Sequence, residues 1–162
     1  MPLEKLQQGV PAGVLRIEHE EDMRVLAVRL SGLVKTGDVI TLQGTLGAGK
    51  TAFARAFINA LSPAPEEVPS PTFTLVQVYD QARPEVWHFD LYRLEEERDI
   101  LELGWDEARR SAVSLIEWPE RLGTLLPKDR LEISIAFVPD SDNAREVTFT
   151  PHGKWQLRQN DA

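Results

Sequence analysis

With 162 residues, 42% of them hydrophobic, the chain can build one domain with a substantial core, and a second independent domain is not expected. It contains no cysteine, which excludes disulfides and zinc–thiolate sites and agrees with a reducing compartment. The net charge of −8 and a pI near 4.9 argue against a chain that holds nucleic acid by itself, since its positive charge is scattered and Arg109-Arg110 is the only adjacent basic pair.

Residues 1–13 carry Pro and Gly with little periodicity and read as a flexible arm. Met1-Pro2-Leu3-Glu4-Lys5 lacks the apolar core of a signal peptide, and no apolar run approaches the ~20 residues of a membrane span, so a cytoplasmic protein without a membrane partner is expected. Val14-Leu15-Arg16-Ile17 reads as a short strand. Met23, Leu26, Ala27, Leu30, Leu33 and Val34 then recur at helical spacing behind the acids of 18–22, which a helix N-terminus favours. Val39 to Leu42 is a buried strand. Phe53, Ala54, Phe57, Ile58 and Leu61 mark a second helix that stops at Ser62-Pro63.

Pro63 to Pro71 is a proline-rich connection. Phe73 to Tyr79 alternates and is rich in β-branched residues, and Val86 to Asp90 follows the turn Gln81-Ala82-Arg83-Pro84; the two read as strands of an antiparallel hairpin. An acidic helix is predicted over 95–103, with Gly104 as its stop. Ala112 to Ile116 is a fully buried strand ending in Glu117. Leu131 to Val138 and Glu146 to Thr150 form a second hairpin around residues 139–143. This pattern places a single domain over 14–152 and a C-terminal tail over 153–162.

Between the strand at 39–42 and the helix after it, Gly44-Thr45-Leu46-Gly47-Ala48-Gly49-Lys50-Thr51 is a complete G-x-x-x-x-G-K-T loop in the strand–loop–helix setting that this motif requires. Glycines let the backbone wrap a polyphosphate with its N–H groups pointing inward, and the helix N-terminus adds partial positive charge. Lys50 would reach the β- and γ-phosphates, and the Thr51 hydroxyl would take one position on Mg²⁺. A nucleoside triphosphate is the expected ligand. No Asn-Lys-x-Asp occurs in the chain, which speaks against guanine. With strands and helices alternating early and hairpins later, the fold class is α/β: a P-loop NTPase-like three-layer fold with a mixed β-sheet flanked by helices.

Such a loop needs a carboxylate near Mg²⁺, usually at the end of an apolar strand. Asp90 and Glu117 both stand there, one suited to the metal and the other to a water, and spacing does not assign the two roles. Ser70-Pro71-Thr72-Phe73 is a hydroxyl-bearing turn downstream of the loop helix. Nucleotide switches place a γ-phosphate sensor in that position, although by itself the segment is a turn that enters a strand. His88 shares a strand face with Asp90 and reads as a packed or hydrogen-bonded histidine. Trp118 reads either as a packing ring or as a nucleotide contact.

Four blocks taken together carry a specific resemblance: residues 44–51, Ser-Pro-Thr-Phe-Thr-Leu-Val at 70–76, His-Phe-Asp-Leu-Tyr-Arg-Leu at 88–94, and Leu-Ile-Glu-Trp-Pro-Glu-Arg at 115–121. The chain resembles the TsaE (also called YjeE) family of small bacterial ATPases over about residues 18–150. That family acts in making the threonylcarbamoyl-adenosine (t6A) modification at tRNA position 37. The resemblance implies ATP and Mg²⁺ as cofactors and a weak ATPase activity. It implies Thr51 and Glu117 as Mg²⁺ ligands, Asp90 in hydrolysis, and Ser70 and Thr72 in a switch-like segment near the γ-phosphate. Nucleotide contacts would come from Thr45, Gly47, Ala48, Gly49, Lys50 and Trp118, and from Glu20 before the first helix. The family commonly has Asp after the first loop glycine, where this chain has Thr45. It also implies partnership with a TsaB–TsaD-type complex that holds the tRNA, which suits an acidic chain that meets tRNA only indirectly. Two other readings remain at this stage: a small-molecule kinase, and a non-hydrolysing assembly factor that uses ATP as a switch.

Overall fold

The computed structural model describes residues 9–11, 13–45 and 47–160. The chain runs as β1 (Val10–Pro11), β2 (Gly13–Ile17), α1 (Glu20–Ser31), β3 (Val39–Gln43), α2 (Lys50–Leu61), β4 (Val76–Tyr79), β5 (Val86–Asp90), a 3-10 helix (Glu97–Leu103), α3 (Trp105–Ser111) and β6 (Val113–Glu117). A 3-10 segment (Pro119–Leu125), β7 (Arg130–Val138), β8 (Ser141–His152), a last 3-10 turn (Gly153–Arg158) and β9 (Gln159–Asn160) complete it.

Seven strands form one sheet in the order β2-β8-β7-β3-β6-β5-β4. Its centre, β7-β3-β6-β5, is parallel, and the flanking pairs β4–β5, β7–β8 and β2–β8 are antiparallel. The expected mixed α/β sheet with helices on its faces is what the chain adopts. Burial explains the central strands: β5 and β6 are buried at every position, as a strand covered on both faces must be. On one face α1 packs Met23, Leu26 and Leu30, and α2 packs Phe53, Phe57 and Ile58, against Ile40, Leu42 and Leu115. On the other, Trp105 and Ala108 of α3 join Phe89, Ile100, Ile116 and Leu122, with the Trp105 ring edge-on to Phe89 at 5.5 Å.

Several local expectations change. The strand expected over 73–79 begins only at Val76. Upstream the chain turns, with the Leu75 N–H donating to Pro71 O at 2.6 Å and Leu75 itself at φ 68. The helix expected over 95–103 is a 3-10 helix stopped, as foreseen, at left-handed Gly104. Helix α3 has no counterpart in the sequence reading.

The ends differ most. Of the arm expected over 1–13, residues 1–8 and 12 lie outside the described residues, but Val10 is fully buried and β1 pairs in parallel with β9. The tail expected from residue 153 instead returns to the core. Trp155 is buried there, and Arg158 binds both carboxylate oxygens of Asp38, at 2.6 and 2.9 Å, where the chain enters β3. The large apolar ring of Trp155 gains more by burial than the ordering of that short segment costs.

Candidate nucleotide site

The parallel register brings the ends of three strands to one edge. Leu42 of β3 lies beside Glu117 of β6, and Glu117 lies beside Asp90 of β5. The glycine loop leaves β3 at that edge, so two acids 27 residues apart in sequence stand next to the loop, where open α/β sheets place their ligand crevice. The loop's shape requires two of its glycines. At Gly44 (φ 152) an added Cβ would fall 2.5 Å from the Ile135 carbonyl oxygen of β7. Gly49 (φ 116) is the left-handed residue that starts α2. Because Gly49 has no side chain to cap α2, the first-turn N–H groups of the helix stay open to an anion.

Gly47, Gly49, Lys50, Thr51, Ser70, Thr72, Asp90, Glu117 and Trp118 all line one cavity of about 330 Å³. Nine residues expected at the site from sequence are thus brought together. Tyr92, which the sequence reading did not single out, completes the wall: its ring lies 4.9 Å from that of Trp118. Trp118 sits at φ 60, a left-handed backbone that a non-glycine residue rarely takes, and this turns its indole back over the loop. The Lys50 ammonium lies 3.9 Å from the centre of that ring.

Each acid has its own partners. Asp90, 4% exposed, accepts from Ser70 Oγ at 2.8 Å and Thr72 Oγ1 at 3.1 Å on Oδ2, and from the Tyr92 N–H at 3.1 Å on Oδ1. These bonds, with the Asp90 N–H donating to Leu75 O, fold residues 70–75 over the end of β5, which is why β4 starts late. Glu117 instead has His88 Nε2 2.7 Å from its Oε2.

Ala48 and Glu20 stand apart. They line a neighbouring cleft of about 400 Å³ that shares Gly47 and Gly49 with the first and continues past His19 and Asn143 to Arg145. Arg145 ties β8 to the loop by donating from Nε to Ala48 O at 3.1 Å, and its guanidinium lies over Phe137. No local signal marks Arg145 in the sequence, since 97 residues separate it from its partner. Thr45 is exposed on the loop and lines neither cavity.

A glycine loop that leaves the central strand of a mixed sheet, with a lysine and a threonine opening the next helix and two strand-end acids lining the same cavity, defines an α/β protein with a crevice at the strand ends. The match to known proteins narrows that class. The chain belongs to the TsaE family: the model described as "Threonylcarbamoyl adenosine biosynthesis protein TsaE" matches residues 17–147. It is 38% identical over 139 residues to a Bacillus subtilis (strain 168) protein named "tRNA threonylcarbamoyladenosine biosynthesis protein TsaE", covering 85% of each chain. An Aquifex aeolicus protein of the same name is 41% identical over 65% of this chain and 75% of its own. Among solved structures, Bacillus subtilis YdiB superposes with a TM-score of 0.75 at 32% identity, covering 90% of this chain and 89% of its own.

Proposed function

We propose that this chain binds ATP with Mg²⁺, hydrolyses it slowly, and by that cycle serves t6A formation at tRNA position 37 together with a TsaB–TsaD-type complex. One observation carries the reading: a single cavity gathers Lys50, Thr51, Asp90 and Glu117 with the hydroxyls of Ser70 and Thr72. The names of the relatives supply the pathway.

The donors fit the metal. The Thr51 hydroxyl and the Glu117 carboxylate are hard oxygen ligands, and among the described residues no three acidic or histidine side chains converge to cage an ion unaided. Mg²⁺ of the nucleotide type suits that set, because it takes the rest of its shell from phosphate and water, where it neutralises developing charge. Lys50 and the first-turn N–H groups of α2 would hold the phosphate oxygens. Asp90 would orient the attacking water and take its proton, while Ser70 and Thr72, already bonded to Asp90, would exchange toward the γ-phosphate. The 330 Å³ cavity admits the phosphates, and the cleft beside Glu20 and Arg145 would take the nucleoside end. With a net charge of −8 the chain leaves the tRNA to its partners.

The three hydrogen bonds already made to Asp90 favour a second reading, an ATP-dependent assembly switch without hydrolysis. Phosphate release from ATP, with and without purified TsaB–TsaD complex and tRNA, separates the two. Slow release alone and faster release with the complex are expected. Release that never exceeds the no-protein control, with ATP binding intact, would leave the switch, and no ATP binding by calorimetry would end both readings.

A further inference from the structure

His88 is a buried polar side chain against Glu117 that none of the proposed steps uses. It is wholly buried, and Glu117 is 3% exposed. In the β5–β6 register His88 lies beside Leu115 and Asp90 beside Glu117, so the imidazole reaches forward along one face to the carboxylate two positions on. The Nε2–Oε2 distance is 2.7 Å. A carboxylate only accepts, so Nε2 carries the hydrogen of this contact, while Nδ1 has no hydrogen-bond partner among the described residues. The ring's one polar tie is therefore to Glu117. An apolar ring would fill the same space without burying an unpartnered nitrogen, so packing does not account for a histidine here.

We infer that His88 is a positioning residue that holds Glu117 Oε2 and so presents Oε1 to the cation beside Thr51. This rests on the reading of Glu117 as a Mg²⁺ ligand. Ligating carboxylates are commonly fixed by an outer hydrogen bond, and loss of such a partner costs about 10- to 100-fold in metal affinity. Asp90 gains nothing from this bond, since its own oxygens are held by Ser70, Thr72 and Tyr92.

The test uses the full chain and pairs two amides of different reach. In His88→Gln the side-chain nitrogen extends to the Nε2 position; in His88→Asn it stops near Nδ1, short of Glu117, and His88→Phe removes the donor while keeping the ring. ADP affinity is measured by calorimetry in EDTA and across a Mg²⁺ series, and Mn²⁺ affinity of the ADP complex by electron paramagnetic resonance. In His88→Asn and His88→Phe the EDTA affinity should stay within about two-fold of wild type, while the Mg²⁺ and Mn²⁺ needed for half-saturation should rise about ten-fold or more, with His88→Gln restoring most of it. In a Glu117→Gln background the same changes should have no further effect on the metal. Equal losses in EDTA and in Mg²⁺, or an unchanged metal requirement, would overturn the inference. A wild-type chain that binds ADP with no metal dependence would instead overturn the assignment of Glu117, and this inference with it. If His88→Phe does not fold, the Asn and Gln pair still decides.

Discussion

Replacing Lys50 by Ala tests the crevice at its one fixed cation in the loop. Lys50 opens α2, is 6% exposed, and keeps its ammonium 3.9 Å from the centre of the Trp118 ring. A triphosphate would draw that ammonium off the indole and onto the β- and γ-oxygens. Each charge-assisted contact is worth about 1.5–3 kcal/mol. Against two of them stands the surrendered indole contact, about 0.5–2 kcal/mol. The net loss in the variant is then about 1–5.5 kcal/mol, roughly 5- to 10,000-fold in Kd. The fold should survive, because Ala is the best helix former and the apolar anchors Phe53 and Phe57 of α2 are untouched. Calorimetry with ATP at fixed Mg²⁺ reads the affinity, and a thermal melt checks the fold. An ATP Kd within about three-fold of wild type, in a variant that melts normally, would refute the assignment of the loop as the phosphate site.

Three further outcomes follow from the same geometry. Glu117→Ala should raise the Mg²⁺ requirement for nucleotide binding, whereas Asp90→Asn should spare binding and lower turnover by about a hundred-fold or more; if Asp90→Asn is the variant that loses metal dependence, the two roles are reversed. Thr72→Ala removes one of the two hydroxyls on Asp90 Oδ2 and should reduce TsaB–TsaD-stimulated phosphate release more than basal ATP affinity, with equal losses in both counting against a switch. Arg158→Ala cuts the two-pronged tie to Asp38, where both side chains are largely buried, and should cost about 1–3 kcal/mol of stability by urea titration; an unchanged midpoint would mean that this tie adds nothing to the fold.

The crevice was legible because its parts are local. The loop carries its own glycines, its strand and helix show their periods on either side, and Asp90 and Glu117 advertise themselves as acids that end apolar runs. What joins them is not local. Nothing in β3, β5 or β6 alone says that Glu117 lies between Leu42 and Asp90; that follows from strand order and parallel register. The alternation of 73–79 suggested a longer strand, but the hydroxyls of Ser70 and Thr72 are claimed by Asp90 from about twenty residues away, and the turn they impose overrides the pattern. Helix α3 did leave signs, with acids Asp106 and Glu107 in its first turn and Arg109 and Arg110 in its last, but it is only seven residues long and too brief for a helical period to emerge. Trp155 and Arg158 reach the core only because β8 carries the chain back beside β7, which no segment near the end could reveal.

The cation on the Trp118 face gives the protein an optical signal of its own. Trp87, Trp105 and Trp155 are buried in the core, whereas Trp118 alone is partly open, in the crevice wall. A charge held against an indole alters the energy of its excited state, so moving Lys50 from the ring to a phosphate would shift emission from one tryptophan of four while the others supply a constant background. Ligand arrival could then be followed by intrinsic fluorescence in the unlabelled chain, in real time and in mixtures with tRNA, and a Trp118→Phe variant should bind in the dark.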